Sequence, residues 1–407
     1  MYNPRVVIID DLSRAKEELK RIGVDSYGLR LMAPKALSFA VKLEKVRPQA
    51  ANILKQEALS LGAEAAISRG VIDLKRKRSD VLLLGTEKQY RLLVEKLKRQ
   101  PFSLAEIAED LKNLLTNFKR KRWKIECGKY TLRLGERTLI MGILNVTPDS
   151  FADGGRYDTL DSALQGAERM AEEGADIIDV GGESTRPGAR PVPLKEEMRR
   201  TIPVIKRLVK RINLPISIDT YKSQVAREAL DSGASLVNDT SALRMDKGMT
   251  GVVSRYKIPL VLMHMQGRPR NMQKNPKYGD VIGEIISFLR ERIEFAKKER
   301  IDEERIIIDP GIGFGKKTEH NLEIFHRLSE FKSLGRPILV GPSRKSVIGN
   351  VLNLPVEERL EGTAAIVAVS ILNGADIIRV HDILEMKRVA DMTDAIKNAD
   401  DRRWRGD

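Results

Sequence analysis

A chain of 407 residues, 42% apolar and 32% charged, is long enough for two domains with separate cores. No apolar run approaches the length of about 18 residues that a membrane span needs, the N-terminal MYNPRVVIIDDLSR lacks the order of a secretory leader, and the single cysteine, Cys127, excludes an internal disulfide. The expectation is a cytoplasmic protein without a membrane partner. The formal charge of +15 is uneven: residues 1–123 hold about 26 Lys and Arg against about 15 Asp and Glu. A basic half can serve nucleic acid, but aromatics for base stacking are sparse and not interleaved with the charge, so a solvated mixed-charge surface is expected instead.

In the N-terminal part, residues 6–9 (VVII) predict a strand and residues 14–22 a helix. Residues 81–85 (VLLLG) predict another strand, followed by a helix over 87–99. A further helix begins near Ser103, with Ser103 and Glu106 spaced as a capping box. This makes residues 1–122 an α/β unit of open role, with no catalytic constellation. Lys75 to Arg78 and Lys119 to Arg122 are charge runs that read as solvated, the second marking a boundary. Residues 129–134 and 137–140, around Gly135-Glu136, predict a hairpin entering the second domain, residues 123–400.

From residue 139 the pattern becomes regular. Apolar strands are expected at 139–144, 176–180, 215–218, 235–237, 259–263, 305–308, 337–340 and 376–380. Helical patterns separate them at 160–173, 194–211, 222–231, 246–256, 280–300, 321–331, 355–372 and 384–397. Eight strand–helix pairs over about 255 residues match a closed (β/α)8 barrel, the TIM barrel of the α/β class. An open doubly wound sheet is the alternative, but no glycine-rich dinucleotide fingerprint follows the first strand.

In such a barrel the residues just past each strand share one mouth. They read, in order, Asn145; Gly181 to Arg186; Asp219; Asn238-Asp239; His264; Asp309; Gly341 to Lys345; and Arg379 with His381. Every strand delivers a polar or ionisable group, which a purely structural barrel would not need, since an unpaired buried polar group costs about 1–3 kcal/mol. Asp219, Asn238 and Asp309 offer acceptors and an amide, a set suited to a flat heterocycle with adjacent N–H donors such as an aminopyrimidinone. Two of them have plainer readings: Asp309 as a turn-forming Asx residue and Asp219 as a helix cap. Lys345, Arg379 and His381 offer positive charge and donors. With Asn145 they suit a diphosphate and its Mg²⁺, which keeps several waters and needs few protein oxygens. With only four histidines and one cysteine, a zinc site is not expected.

These residues carry a resemblance. LNVTPDSFADGG, IDVGGESTRPGA, SIDTYK, LVNDTSA, MHMQG, DPGIGFGKKTEHN, GPSRKS and RVHD occur in the order found in dihydropteroate synthases, so residues 124–398 closely resemble that family. Ala152 stands where the family often has Ser, and residues 1–120 have no counterpart in the minimal family fold. The resemblance implies condensation of 6-hydroxymethyl-7,8-dihydropterin diphosphate with p-aminobenzoate, releasing diphosphate. It implies that Asp219, Asn238, Asp309 and Lys345 bind the pterin, and that Asn145, Arg379 and His381 hold the diphosphate, with Asn145 on Mg²⁺. Thr185, Arg186 and Pro187, with Ser343, would form the p-aminobenzoate side, and Asp149 would lie in a closing loop. The catalytic set is then Asp149, Asp219, Lys345, Arg379 and His381, in a protein expected to be a homodimer. The nearest rival is a pterin-dependent methyltransferase serving a corrinoid protein, which would share the Asp219, Asn238 and Asp309 pocket but not need the diphosphate set. The other is a non-catalytic barrel with an RNA- or protein-binding N-terminal domain.

Overall fold

The computed structural model describes residues 2–146, 158–184 and 188–399. The chain divides into two compact units, Met1–Lys119 and Arg120–Asp407.

The first unit contains α1 (Leu12–Arg21), α2 (Ser26–Met32), β1 (Ser38–Val46), α3 (Pro48–Ser60), β2 (Glu64–Ile67), β3 (Ser79–Thr86), α4 (Glu87–Leu97) and α5 (Leu104–Lys119). Its sheet is antiparallel in the order β1-β3-β2. In β3, Val81 and Leu83 are buried while Leu82 and Leu84 are exposed, the alternation of a sheet covered on one face. Leu54, Leu93, Leu97, Leu104 and Leu111 from three helices fill the covered side. Residues 6–9 do not form the expected strand; they are irregular, and Val6 and Ile8 are exposed. An apolar tetrapeptide becomes a strand only where a neighbouring ladder takes its backbone groups, and β3 is already flanked on both sides. The helix at residue 104 forms, but Ser103 precedes it with φ of 64°, not the extended conformation of a capping residue. The capping box lies at α4 instead, between Thr86 and Gln89.

The second unit opens with a hairpin, β4 (Trp123–Cys127) and β5 (Tyr130–Leu134), which turns at Gly128-Lys129 rather than at Gly135-Glu136. Trp123, Ile125 and Cys127 alternate buried with exposed neighbours, the period of a one-sided ribbon. Residues 139–145, of which 139–144 are buried on both faces, belong to the barrel instead. Its elements are β6 (Leu139–Asn145), α6 (Asp158–Glu172), β7 (Ile177–Gly181), α7 (Leu194–Arg211), β8 (Ile216–Asp219), α8 (Ser223–Asp231), β9 (Leu236–Asp239), α9 (Gly248–Tyr256), β10 (Leu260–Met263), α10 (Val281–Lys298), β11 (Ile306–Asp309), α11 (Thr318–His326), β12 (Leu339–Val340), α12 (Ser346–Leu352), α13 (Leu360–Leu372), β13 (Ile377–Val380) and α14 (Ile383–Lys397). Adjacent strands are parallel, and an Ile308–Ile338 bridge joins β11 to the β12 segment, closing the (β/α)8 barrel. Among the described helices of this unit only α12 was not expected as a separate helix.

The hairpin plugs one end of this barrel. Trp123, Ile125, Cys127, Leu132 and Leu134 form one apolar cluster with Leu139, Met141, Ile177, Leu236, Val261, Ile307, Leu339 and Ile377. Those barrel residues therefore point inward, and period-two alternation sends Asn145, Asp179, Asn238, Asp309 and Arg379, each an even number of positions further on, into the interior of the opposite end. Residues of the other parity, such as Ile140, Ile178, Ile218, Leu262 and Ile378, pack outward against the helices. One end is sealed by hydrocarbon; the other collects the polar groups.

Candidate active site

Strand register sets the first contacts. Asp219 stands beside Gly181 on β7 and Asn238 on β9, and Asn145 also faces Gly181. Arg379 reaches into this group from β13. Its Nε donates to Asp179 Oδ2 at 2.6 Å and its Nη2 to Asp219 Oδ2 at 2.8 Å. Asn238 Nδ2 donates to the same Asp179 oxygen at 3.0 Å. Asp179, fully buried, is thus part of the site although the sequence reading passed over it. The signal was present: a lone carboxylate within IIDVG, a run otherwise apolar, needs a buried partner.

Burial pushes the Asp219 carboxyl above the usual carboxylate range; the Arg379 guanidinium pulls it back, and the neighbouring Asp179 charge raises it again. Asp219 does not cap the following helix: Lys222 stands at the N-cap of α8 without a side-chain cap bond, and Thr220 Oγ1 accepts the Lys222 amide at 3.1 Å. Asp309 makes the expected Asx turn. Its Oδ1 accepts from the Gly311 amide at 2.7 Å, and it stands at the end of β11 beside the Lys345 charge. Burial raises it to about 6, against the lowering effects of that amide and of Lys345.

Lys345 precedes α12, its ammonium 4.5 Å from the centre of the Phe314 ring. Ser343 Oγ lies 3.0 Å from His381 Nδ1 and accepts the His381 amide at 3.3 Å. Desolvation at the barrel mouth and the Arg379 charge lower the His381 pKa to about 4, so in the free protein at neutral pH the ring is neutral and offers a donor. The structure thus gathers Asn145, Asp219, Asn238, Asp309, Ser343, Lys345, Arg379 and His381 at one end of the barrel. Asp149, Thr185, Arg186 and Pro187 lie outside the described residues.

Two neighbouring networks hold the loops. Lys316 is buried, and its ammonium donates to the Gly311 carbonyl at 2.8 Å and the Phe314 carbonyl at 3.1 Å and lies 2.9 Å from His264 Nδ1. His264 therefore serves the loop and not the mouth. A Cβ on Gly311 would stand 1.9 Å from the His264 carbonyl oxygen, so φ of 72° and close backbone approach both demand glycine there. On the other side, Lys222 ion-pairs with Glu183 and Glu197 and donates to the Val192 carbonyl at 2.7 Å. Thr220 Oγ1 donates to Glu197 at 2.7 Å. Lys222 so ties together the two flanks of the segment between β7 and α7.

Among the described residues no group of three His, Cys, Asp or Glu side chains could hold a metal alone. The half-buried Asn145 offers one amide oxygen, which fits a hard cation only if phosphate and water oxygens complete its shell. Cys127 is buried in the opposite, apolar end, where burial pushes its thiol up to about 11 and makes it unreactive.

A family model described as pterin binding enzyme matches residues 141–381. A dihydropteroate synthase of Clostridium beijerinckii is 48% identical over 273 residues, which is 67% of this chain and 99% of the relative. A probable bifunctional folylpolyglutamate synthase/dihydropteroate synthase of Halobacterium salinarum is 41% identical over 391 residues, 95% of this chain and 46% of that protein, so the likeness there extends into the N-terminal unit. A solved dihydropteroate synthase of Xanthomonas albilineans with 4-aminobenzoic acid shares 43% identity over 68% of this chain and 98% of its own, with a TM-score of 0.64. On the matched strand ends and these relatives together, the chain belongs to the dihydropteroate synthase family of pterin-binding enzymes.

Proposed function

We propose that the polar end of the barrel holds the pterin on Asp219, Asn238, Asp309 and Lys345 and the diphosphate on Asn145, Arg379 and His381. The activity is the family's: a pterinylmethyl group passes to an arylamine in folate biosynthesis. The observation that carries the residue assignment is the convergence of Asp219, Asp309, the Asn238 amide, Lys345 and Arg379 from separate strand ends. It favours synthase over a corrinoid-serving methyltransferase, which has no diphosphate to hold.

The bond that breaks is the carbon–oxygen bond between the pterin methylene and the diphosphate, and its electron pair leaves on the diphosphate oxygen. Arg379, the His381 donor and the Asn145 amide stabilise that growing charge. Magnesium bound jointly by Asn145 and the diphosphate would neutralise more of it. Positive charge develops on the methylene carbon, which the Asp219 carboxylate, and Asp149 from its loop, favour. The p-aminobenzoate nitrogen donates its lone pair to that carbon and loses its proton to solvent. Thr185, Arg186, Pro187 and Ser343 position this second substrate, so that the reaction is one of orientation and electrostatics without a protein nucleophile. Isothermal titration of the pterin alcohol against Asn238→Ala and Asp309→Ala variants tests the pocket: both should weaken binding at least tenfold, and unchanged affinity in both would remove the assignment.

A homodimer is supported by α13, an apolar helix whose Val369 and Leu372 are exposed, as are Val351 and Leu352 of α12. Sedimentation should give twice the chain mass, and Val369→Asp with Leu372→Asp should give the monomer. No described helix is long and apolar enough to cross a membrane, and the free thiol of Cys127 fits a reducing cytoplasm.

A further inference from the structure

We propose that Asp179 is a positioning residue that fixes which way the Asn238 amide faces and where the Arg379 guanidinium sits, so that the pterin meets the Asn238 carbonyl oxygen. The inference rests on the pterin-site reading above and deepens it. Asp179 is fully buried and Asn238 only 3% exposed, so neither side chain can turn to water for its hydrogen bonds. An ionised carboxylate only accepts. The Asn238 atom facing Asp179 Oδ2 must therefore be the nitrogen, because a carbonyl oxygen there would meet a negative oxygen at 3.0 Å. The same Oδ2 takes Arg379 Nε at 2.6 Å, so one carboxylate oxygen orients both groups.

The consequence shows in what remains unpaired. Asn238 Oδ1 and Asp179 Oδ1 are buried without a hydrogen-bond partner among the described residues, and so is Ser217 Oγ, on the residue in register with Asp179. Buried acceptors left open are unusual in a finished interior. They are what a ligand with ring N–H donors requires, and a site built this way rejects a molecule that cannot fill it. Asp179 is too deep to be needed for the outer end of the substrate. Its influence passes through Asn238 and Arg379, and it sets the donor and acceptor polarity of the floor.

The test uses the full chain and measures binding of 6-hydroxymethyl-7,8-dihydropterin by calorimetry, the KM for p-aminobenzoate, and thermal melting. Asn238→Ala is the control and should bind the pterin at least tenfold more weakly; if it does not, the pterin-site reading fails and this inference falls with it. Asp179→Asn frees the Asn238 amide to reverse. It should weaken pterin binding at least tenfold while the p-aminobenzoate KM stays within about threefold. Wild-type pterin affinity in Asp179→Asn, with Asn238→Ala impaired, overturns the inference and leaves the site reading standing. The reciprocal pair, Asp179→Asn with Asn238→Asp, keeps the charge, the volume and an acceptor toward the ligand. It should bind more tightly than either single variant. If Asp179→Asn does not fold, comparison of the pair with Asn238→Asp alone decides, and a pair no tighter than that single variant overturns the inference.

Discussion

Replacing Asp309 by Asn separates the turn that this carboxylate makes from the pterin contact proposed for it. The Gly311 amide donates to Oδ1 at 2.7 Å from a backbone with φ of 72°. An Asn at 309 satisfies that amide only with its carbonyl oxygen, which turns its NH2 toward the ligand. The variant thus loses the negative charge and also presents a donor to the pterin N–H groups that need an acceptor. Hydrogen bonds to charged groups contribute about 1.5–3 kcal/mol each. Two such bonds lost make about 3 kcal/mol a lower estimate, or roughly a hundredfold in Kd. Calorimetry with the pterin alcohol at neutral pH measures this without interference from the diphosphate subsite. A Kd within threefold of wild type, in a variant with unchanged melting temperature, would refute the assignment of Asp309 as the pterin carboxylate.

The same group predicts a pH dependence. Its pKa is raised to about 6 in the free protein, and only the ionised form accepts from the pterin, so kcat/KM for pterin diphosphate should hold above that pH and fall about tenfold per unit below it. A profile flat down to pH 5 would contradict this. Arg379→Ala should weaken diphosphate binding more than binding of the pterin alcohol, and equal losses would count against a diphosphate role. It should also lower stability, because Asp179 and Asp219 would face each other without their shared guanidinium. Lys222→Met leaves the buried Glu197 without its cation and should cost about 3–5 kcal/mol in denaturant unfolding. A loss under 1 kcal/mol would show that the network contributes little.

The barrel was legible because its strands are short, apolar and buried on both faces, so each stood out between helical patterns. Expected and observed strand bounds differ by one or two residues, as at 337–340 against Leu339–Val340. Of the N-terminal sheet only β3 was legible, in residues 81–85. β1, with the sequence SFAVKLEKV, and β2, with EAAI, carry Lys, Glu and Ala where a strand pattern calls for branched or aromatic residues, and β3 organises them through tertiary pairing. Residues 6–9 show the converse, a strand-like composition without a partner. In the site, residues at the ends of strands were found because polar groups interrupt an apolar run there. Asp179 lies two positions earlier, inside the run, where its charge calls for a buried partner, but only the structure shows that the partners are Asn238 and Arg379. Lys222 was named only within the SIDTYK motif, since nothing in sequence spacing brings it to Glu183 and Glu197, which lie 39 and 25 residues away.

The most direct measurement mixes the purified protein with Mg²⁺, 6-hydroxymethyl-7,8-dihydropterin diphosphate and p-aminobenzoate, and follows both products. The account predicts 7,8-dihydropteroate and diphosphate in equal amounts, with product formation lost on chelation of the metal. A folded protein that binds the pterin but releases no diphosphate and forms no dihydropteroate would contradict it.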